Sequence, residues 1–485
     1  MKFRRFCALF FSLLMILSLS AAAFAAEAGP EEEEPAESEE PAEPEPEEPE
    51  EPEEPEGFRI AAKAALLVDP DTDEIIYEQD AHERLYPASV TKIMTCLLVL
   101  EAIDNGRLSR NTVLTASEAA ITAVPPDGSN VGIKPGEELS VDELLYCIML
   151  SSANEGCNIL AEAVDGSIEA FVEHMNQKAR ELGCEDTNFR NTNGLPDVNH
   201  YTTAWDLYLI AKEARTHAAF MPLVDTIYHQ VPATNMSDPR DLYTTNYLIS
   251  SYKTSYYIYQ GAHGIKTGST SAAGYCLVSS ASRNDRNVLS VVLGAERVVN
   301  PDITLTYSFI ETARLFDYGF DNFERKVILG ADELVGEVEV ELSQQQNSVK
   351  VHPAQEIERL LPVDMNPDKD IDRIITYEAE SVEAPVAKGQ IMGTITLQSG
   401  DTVYGTVDLL ADEDVSLSKL LEFRKNLLEF LHKPMLWIAA GGAGALIIFL
   451  VILRIVLKTR KQRYSSRSSR RGSVSGNNGY RGRRR

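Results

Sequence analysis

Leu85-Tyr86-Pro87-Ala88-Ser89-Val90-Thr91-Lys92-Ile93-Met94-Thr95-Cys96-Leu97-Leu98-Val99-Leu100 reads as the start of a buried helix with a hydroxyl and an amine one turn apart. Pro87 favours a helix start, and the apolar run from Ile93 onward predicts a helix buried on most of its surface. Ser89 and Lys92 stand at i and i+3, so their side chains project from one face. A lysine held among apolar residues is disfavoured in its charged form, which lowers its pKa and lets it act as a base near neutral pH. A serine beside such an amine, at a helix N-terminus that favours developing negative charge, becomes a nucleophile.

The spacing alone is cheap. Ser250/Lys253 and Ser416/Lys419 repeat it, so context has to separate the pairs. Two further short motifs follow in order, Ser152-Ala153-Asn154 and Lys266-Thr267-Gly268. Ser282-Arg283-Asn284 and Ser475-Gly476-Asn477 also match the middle pattern, whereas Lys-Thr-Gly occurs once. One motif opens an apolar helix and one interrupts the apolar helical region Val141 to Val164. The third sits on a predicted strand among glycines that allow close backbone approach.

The chain has 485 residues, room for two folded domains, and a net charge of -29. That charge is unevenly spread: an acidic N-terminal tract precedes mildly acidic folded regions and a strongly basic C-terminus. The six cysteines, Cys7, Cys96, Cys147, Cys157, Cys184 and Cys276, lie irregularly in apolar settings and read as buried thiols. The eight histidines are scattered and His-Glu-x-x-His is absent, so neither a metal nor another cofactor is expected.

Residues 1–26 carry a basic start, an apolar stretch and Ala23-Phe24-Ala25, the pattern of a secretory signal peptide. Residues 27–57 are almost all Glu, Pro and Ala, and read as an extended, disordered tether. From there to residue 325 the pattern is mixed. Ala64–Val68 and Ile75–Tyr77 form a hairpin, helices cover Ile168–Leu182 and the segment opened by Tyr201–Ala204, and Arg190–Pro196 is a loop. Gly274–Ser280 and Val288–Gly294 are strands of an antiparallel sheet, and Thr304–Phe316 is a closing helix. Residues 326–412 read as a small all-β module and 413–433 as a linker or juxtamembrane helix. Residues 434–457 follow as one transmembrane helix, since Pro434 to Leu453 is uncharged and long enough to span a bilayer. The basic tail, 458–485, belongs in the cytoplasm by the positive-inside rule, with everything before Pro434 outside. Topology and anionic lipid explain its arginines without nucleic acid. The fold class is therefore α/β (α+β): an antiparallel sheet flanked by helices, a small all-β C-terminal domain and one membrane helix.

With its three motifs in this order, the chain resembles the low-molecular-mass penicillin-binding proteins of the D-alanyl-D-alanine carboxypeptidase family over roughly residues 58 to 412. Lys134-Pro135-Gly136-Glu137, Asn193-Gly194-Leu195 and Gly274–Val278 resemble further family segments. The resemblance implies a penicillin-binding, β-lactamase-like catalytic domain with Ser89, Lys92 and Ser152 catalytic. Ser89 would attack the carbonyl between two terminal D-alanines, Lys92 would take its proton, and Ser152 would relay one to the leaving D-alanine. Asn154, Lys266, Thr267, Gly268 and Ser269 would bind substrate. Asn154 would take the substrate amide and Lys266 with Thr267 the terminal carboxylate. The backbone N–H groups of Ser89 and Ser269 would form an oxyanion hole.

Two positions depart from the family pattern. Glu155 stands where Asp is usual, and the region before the closing helix offers Arg297 as its nearest basic residue. The implied partners are the peptidoglycan stem peptide, β-lactams as covalent inhibitors, and membrane lipid. The alternatives are a wall-binding or β-lactam-sensing receptor with poor turnover and a β-lactamase. The latter lacks a Glu-x-x-Leu-Asn-type loop between the second and third motifs.

Overall fold

The computed structural model describes residues 57–300, 304–400 and 402–465. The expected signal peptide, all but the last residue of the acidic tether and the end of the basic tail lie outside the described residues. The described chain from Arg59 forms one unit, built around a five-stranded antiparallel sheet. Its strands are β1 (Ala64–Asp69), β2 (Glu74–Gln79), β3 (Ala262–Thr270), β4 (Gly274–Arg283) and β5 (Arg286–Ala295), in spatial order β2-β1-β5-β4-β3. Every neighbouring pair is antiparallel. Because β3 ends this order, one of its backbone edges is left without a strand partner in the sheet.

β1 is buried along its whole length, and β4 and β5 through their centres. A strand buried on both faces reads as a continuous apolar run, as Ala64-Ala65-Leu66-Leu67-Val68 does. Leu66 and Val68 belong to the core that also takes in Ile93, Leu97, Leu144 and Ile148 from the helical side. Leu67 faces the other way: a Cβ on Gly319 of the closing helix would lie 2.6 Å from its Cδ2. Helices thus clad the sheet on both sides.

α1 (Lys92–Asp104) is preceded by a 3-10 turn, Ala88–Thr91, and buries all but a few of its residues. α2 (Val141–Met149) and α3 (Asn154–Asp165) pack beside it, with Ser151, Ser152 and Ala153 in the break between them. The expected helix from Thr304 to Phe316 begins later and ends later. Thr304–Thr306 is a short strand paired with Arg297–Val299, and the helix α4 runs Tyr307–Asn322. The two β-branched threonines of Thr304-Leu305-Thr306 favour the ribbon, and the Thr306 N–H donates to Tyr257 Oη at 2.9 Å, outside any helical ladder.

The closing helix runs directly into Phe323–Leu329, the first strand of an all-β region. A six-stranded sheet there has its own core of Val338, Val340, Val349, Val351, Ile395, Leu397 and Leu409. Ion pairs tie this region to the β1–β2 hairpin. Arg325 Nη2 lies 2.9 Å from Asp69 Oδ2 and 3.3 Å from Asp71 Oδ2, and the Leu360 N–H donates to Glu74 Oε2 at 3.0 Å. Beyond it lie an amphipathic helix, Lys419–His432, with Leu420, Phe423 and Phe430 exposed, and a long helix, Pro434–Ser465. Pro434–Arg460 is long and apolar enough to cross a membrane.

Asp69 is only 1% exposed, so removing its cation leaves a buried carboxylate poorly compensated. Arg325→Ala is expected to lower stability by about 1–2 kcal/mol, read as a drop of a few degrees in the thermal unfolding midpoint. An unchanged midpoint would mean the junction pair contributes nothing.

Candidate active site

The turn that begins α1 is held in an unusual backbone shape. Ala88 has φ +49°, the left-handed region that disfavours any residue with a Cβ. This puts Ser89 at the floor of a cleft of about 440 Å3, half-buried, with the α1 amine beneath it. Lys92 Nζ donates to Ser89 Oγ at 2.9 Å, to Asn154 Oδ1 at 2.7 Å and to the Asn193 carbonyl at 2.7 Å. All three donor positions of the ammonium are therefore taken.

Ser152 reaches the same cleft from the break between α2 and α3, where it too has positive φ, +61°. Asn154, the first residue of α3, is buried, and its side-chain oxygen is committed to Lys92. On the far wall β3 brings Thr267, Gly268 and Ser269 to the cleft. Gly268 is required there: a Cβ would lie 2.9 Å from the Ser89 nitrogen and 3.0 Å from the Pro87 carbonyl oxygen. Lys266, two residues before Gly268 and so on the same strand face, is fully buried, and its Nζ donates to the Thr267 carbonyl at 3.0 Å. The three motifs thus meet, with Lys266 beneath the surface they form.

Burial sets the protonation of both lysines. It pushes Lys92 down to about 8, an effect partly opposed by Cys157 and Glu155. It pushes Lys266 down to about 7, with the Lys92 charge adding to the shift. No ion pair compensates either amine among the described residues. The buried thiols move the other way, Cys157 and Cys276 rising to about 11, which makes them poor nucleophiles.

Further residues support the site, and of these Thr245 and His200 carry no sequence signal of their own. The Thr245 and Thr267 hydroxyls are 2.5 Å apart, tying a Tyr-rich segment to β3. His200 accepts from the Arg190 N–H on Nδ1 at 3.1 Å, which leaves the proton on Nε2 for Thr91 Oγ1 at 2.9 Å. Burial pushes this histidine down to about 4, so it stays neutral while clamping the Asn193 loop to the Ser89 turn. Glu155, the departure from Asp, takes the Val131 N–H on Oε1 at 2.8 Å. It fastens the loop whose Ser129 carbonyl accepts from the Asn154 N–H at 2.9 Å. Arg297 lines the cleft with its Nη1 3.3 Å from Tyr275 Oη. Of the repeated Ser250/Lys253 pair, Lys253 also lines the cleft.

Among the described residues the cleft itself offers no cluster of metal-ligating groups. Elsewhere, Glu101, Glu213 and His217 bring possible ligand atoms within 4.8 Å of one another. Lys178 already pairs with Glu101 there and lies 3.7 Å from Glu213.

A helix-borne serine with a buried amine, facing the edge strand of a helix-clad antiparallel sheet, is the architecture of the serine penicillin-recognising enzymes. Residues 48–297 match the sequence family described as D-alanyl-D-alanine carboxypeptidase, and residues 323–416 match penicillin-binding protein 5, C-terminal domain. The D-alanyl-D-alanine carboxypeptidase DacF of Bacillus subtilis is 32% identical over 367 residues, covering 75% of this chain and 88% of that protein. DacC of Escherichia coli is 29% identical, covering 70% and 80%. The crystal structure of the D-alanyl-D-alanine carboxypeptidase DacD from Francisella tularensis superposes with a TM-score of 0.58 at 26% identity, over 75% of this chain and 96% of that one. The chain belongs to the D-alanyl-D-alanine carboxypeptidase family.

Gly194 has φ +88°, and a Cβ there would fall 1.8 Å from the Ala88 carbonyl oxygen. Gly194→Ala must therefore push the Asn193 carbonyl away from Lys92. The variant is expected to lose about 2 kcal/mol of stability or more and to acylate with labelled penicillin at least about tenfold more slowly. Wild-type labelling rates would show that the loop does not hold the amine.

Proposed function

We propose that this enzyme removes the terminal D-alanine from peptidoglycan stem peptides through an acyl-enzyme at Ser89, and that β-lactams acylate the same oxygen. The observation that carries the reading is the 2.9 Å contact between Ser89 Oγ and an Nζ whose pKa burial brings to about 8. Neutral Lys92 takes the Ser89 proton as Oγ bonds to the carbonyl carbon between the two D-alanines. The oxyanion is received by the N–H groups of Ser89 and Ser269, which the close seating of Gly268 on the Ser89 turn brings near each other. The C–N bond then breaks, the leaving amine takes a proton relayed by Ser152, and water releases the shortened peptide.

Substrate would lie along the open edge of β3 as an added strand. Its C-terminal carboxylate would meet the Thr267 hydroxyl and the Arg297 guanidinium, with the buried Lys266 charge adding its attraction. Asn154 would orient Lys92 through its oxygen and offer its amide nitrogen to the substrate carbonyl.

In the same reading residues 58–325 are the catalytic domain and 326–412 the β module that carries it. The helix after Pro434, with its trailing Arg and Lys residues, would hold the enzyme in the cell membrane, single-pass, with the tail cytoplasmic. Residues 1–26 would be the export signal and 27–57 a solvated tether.

Ser89→Ala is expected to abolish D-alanine release from a pentapeptide ending in D-Ala-D-Ala, and with it the penicillin adduct that mass spectrometry should locate on the Ser89 peptide. An adduct on any other residue would sink the assignment. Arg297→Ala should lower kcat/KM about tenfold by weakening the hold on the terminal carboxylate. The active form has Lys92 neutral and Lys266 charged, the less populated arrangement of one proton on the pair because Lys92 holds it more strongly, and its population still follows that of the singly protonated pair. Below about 7 both amines are protonated and above about 8 both are neutral, so kcat/KM should peak between these values and fall on either side. A profile flat from pH 6 to 9 would contradict an amine base.

A further inference from the structure

The strand that carries Lys266, Thr267, Gly268 and Ser269 is irregular just before them. In the pairing of β3 with β4, His263 stands opposite Ser280 and Ile265 opposite Ser279, so Gly264 is one residue too many and forms a bulge. Directly paired residues share a face, and neighbours along a strand alternate. The bulge therefore puts His263 and Ile265 on opposite faces, where an unbroken strand would put them on one. Lys266 and Gly268 reach the face that meets the Ser89 turn because this extra residue precedes them.

Local pattern does not set where the bulge falls. Gly261-Ala262-His263-Gly264 has two glycines and no apolar alternation, and register is weakly specified in such a stretch. Tertiary contacts grip the extra residue instead, at both of its backbone groups. The Gly264 N–H donates to Asp225 Oδ1 at 2.7 Å. Its carbonyl accepts from Ser279 Oγ at 2.6 Å and from Asn246 Nδ2 at 3.0 Å, both from buried side chains. The second oxygen of Asp225 lies 3.1 Å from His263 Nδ1, so one carboxylate spans the bulge and the residue before it. Asp225 ends the short helix Phe220–Val224, which is seated tightly here: a Cβ on Gly264 would lie 2.6 Å from Val224 Cγ2.

We propose that Asp225 is a positioning residue for acyl transfer: by pinning the bulge at Gly264 it sets the register in which β3 presents Lys266, Thr267 and the Ser269 N–H to Ser89. The inference rests on the acyl-enzyme reading and adds to it a residue that does not line the cleft. Ser279 and Asn246 hold the carbonyl of the extra residue, whereas its N–H has Asp225 as acceptor. Without that oxygen a buried N–H is left unpaired, and the bulge is free to move along the glycine-rich stretch. A bulge that slips past Lys266 turns the amine to the other face of β3. A smaller shift moves the Ser269 N–H off the oxyanion, where a misplacement of about 1 Å costs about a hundredfold in rate.

The test follows acylation of the full-length protein by labelled penicillin, in which the amplitude counts folded sites and the rate constant reads their geometry. Asp225→Ala is expected to acylate Ser89 at least about tenfold more slowly than the wild type, at near wild-type amplitude. Asp225→Asn keeps an oxygen for the Gly264 N–H and should stay within about threefold of the wild type. Asp225→Ser, whose shorter side chain cannot span to the bulge, should show the slowing too and carries the test where Asp225→Ala does not fold. An unchanged rate constant in the truncated variant would overturn the proposal, as would a loss confined to the amplitude, which reports unfolding alone. An Asn variant as slow as the truncated one would overturn it as well. A wild type that takes no label on Ser89 would overturn the acyl-enzyme reading, and this inference with it.

Discussion

A charged amine buried beneath a serine is the constraint on which the rest of this structure depends. Water would stabilise the Lys92 ammonium and leave it a poor base, so the fold must exclude water while still placing the nitrogen within 2.9 Å of Ser89 Oγ. The polar acceptors around it come from separate parts of the chain: Asn154 opens α3, and Asn193 belongs to a loop a hundred residues from the lysine. None is a carboxylate, which would pair with the amine and hold its proton. The neutral oxygens satisfy its hydrogen bonds while leaving it only weakly held in the charged form.

That requirement explains the strain and the close contacts around the cleft. Ala88 and Ser152 both occupy the left-handed region despite their Cβ atoms, and both flank groups facing the cleft. Gly194 and Gly268 are placed where backbone meets the Ser89 turn from two directions, leaving no room for a side chain. The surrounding core of packed helices and a two-faced sheet over-determines these shapes, so the local cost is borne by the whole domain. His200, kept neutral by burial, and Glu155, tied to the Val131 N–H, play the same part at one remove, each fastening a loop that fastens the amine.

Much of this was legible in the amino-acid order. The apolar run after Ser89, the break at Ser152 in an otherwise helical stretch and the glycine-flanked Lys-Thr-Gly each carry a local physical signal, namely a helix period, an interruption or a permissive backbone. That the Asn154 side chain and the Asn193 carbonyl accept from Lys92, the clamp at His200 and the place of Lys253 on the cleft wall carry none. A buried neutral histidine and a surface lysine look alike in sequence, because what distinguishes them is the field and the packing of residues remote in the chain.

Local sequence therefore determined the elements: which segment is a buried helix, which are strands with two covered faces, where the chain turns all-β, and which residue types could do acyl-transfer chemistry. Only the tertiary structure decided that three cheap motifs share one groove, that Lys266 is fully buried while Arg297 and Lys253 line the cleft, and that Thr304–Thr306 is ribbon before the last helix begins. Propensity and periodicity act over a few residues, whereas desolvation, hydrogen-bond satisfaction and charge coupling act between groups that only folding brings within a few ångströms.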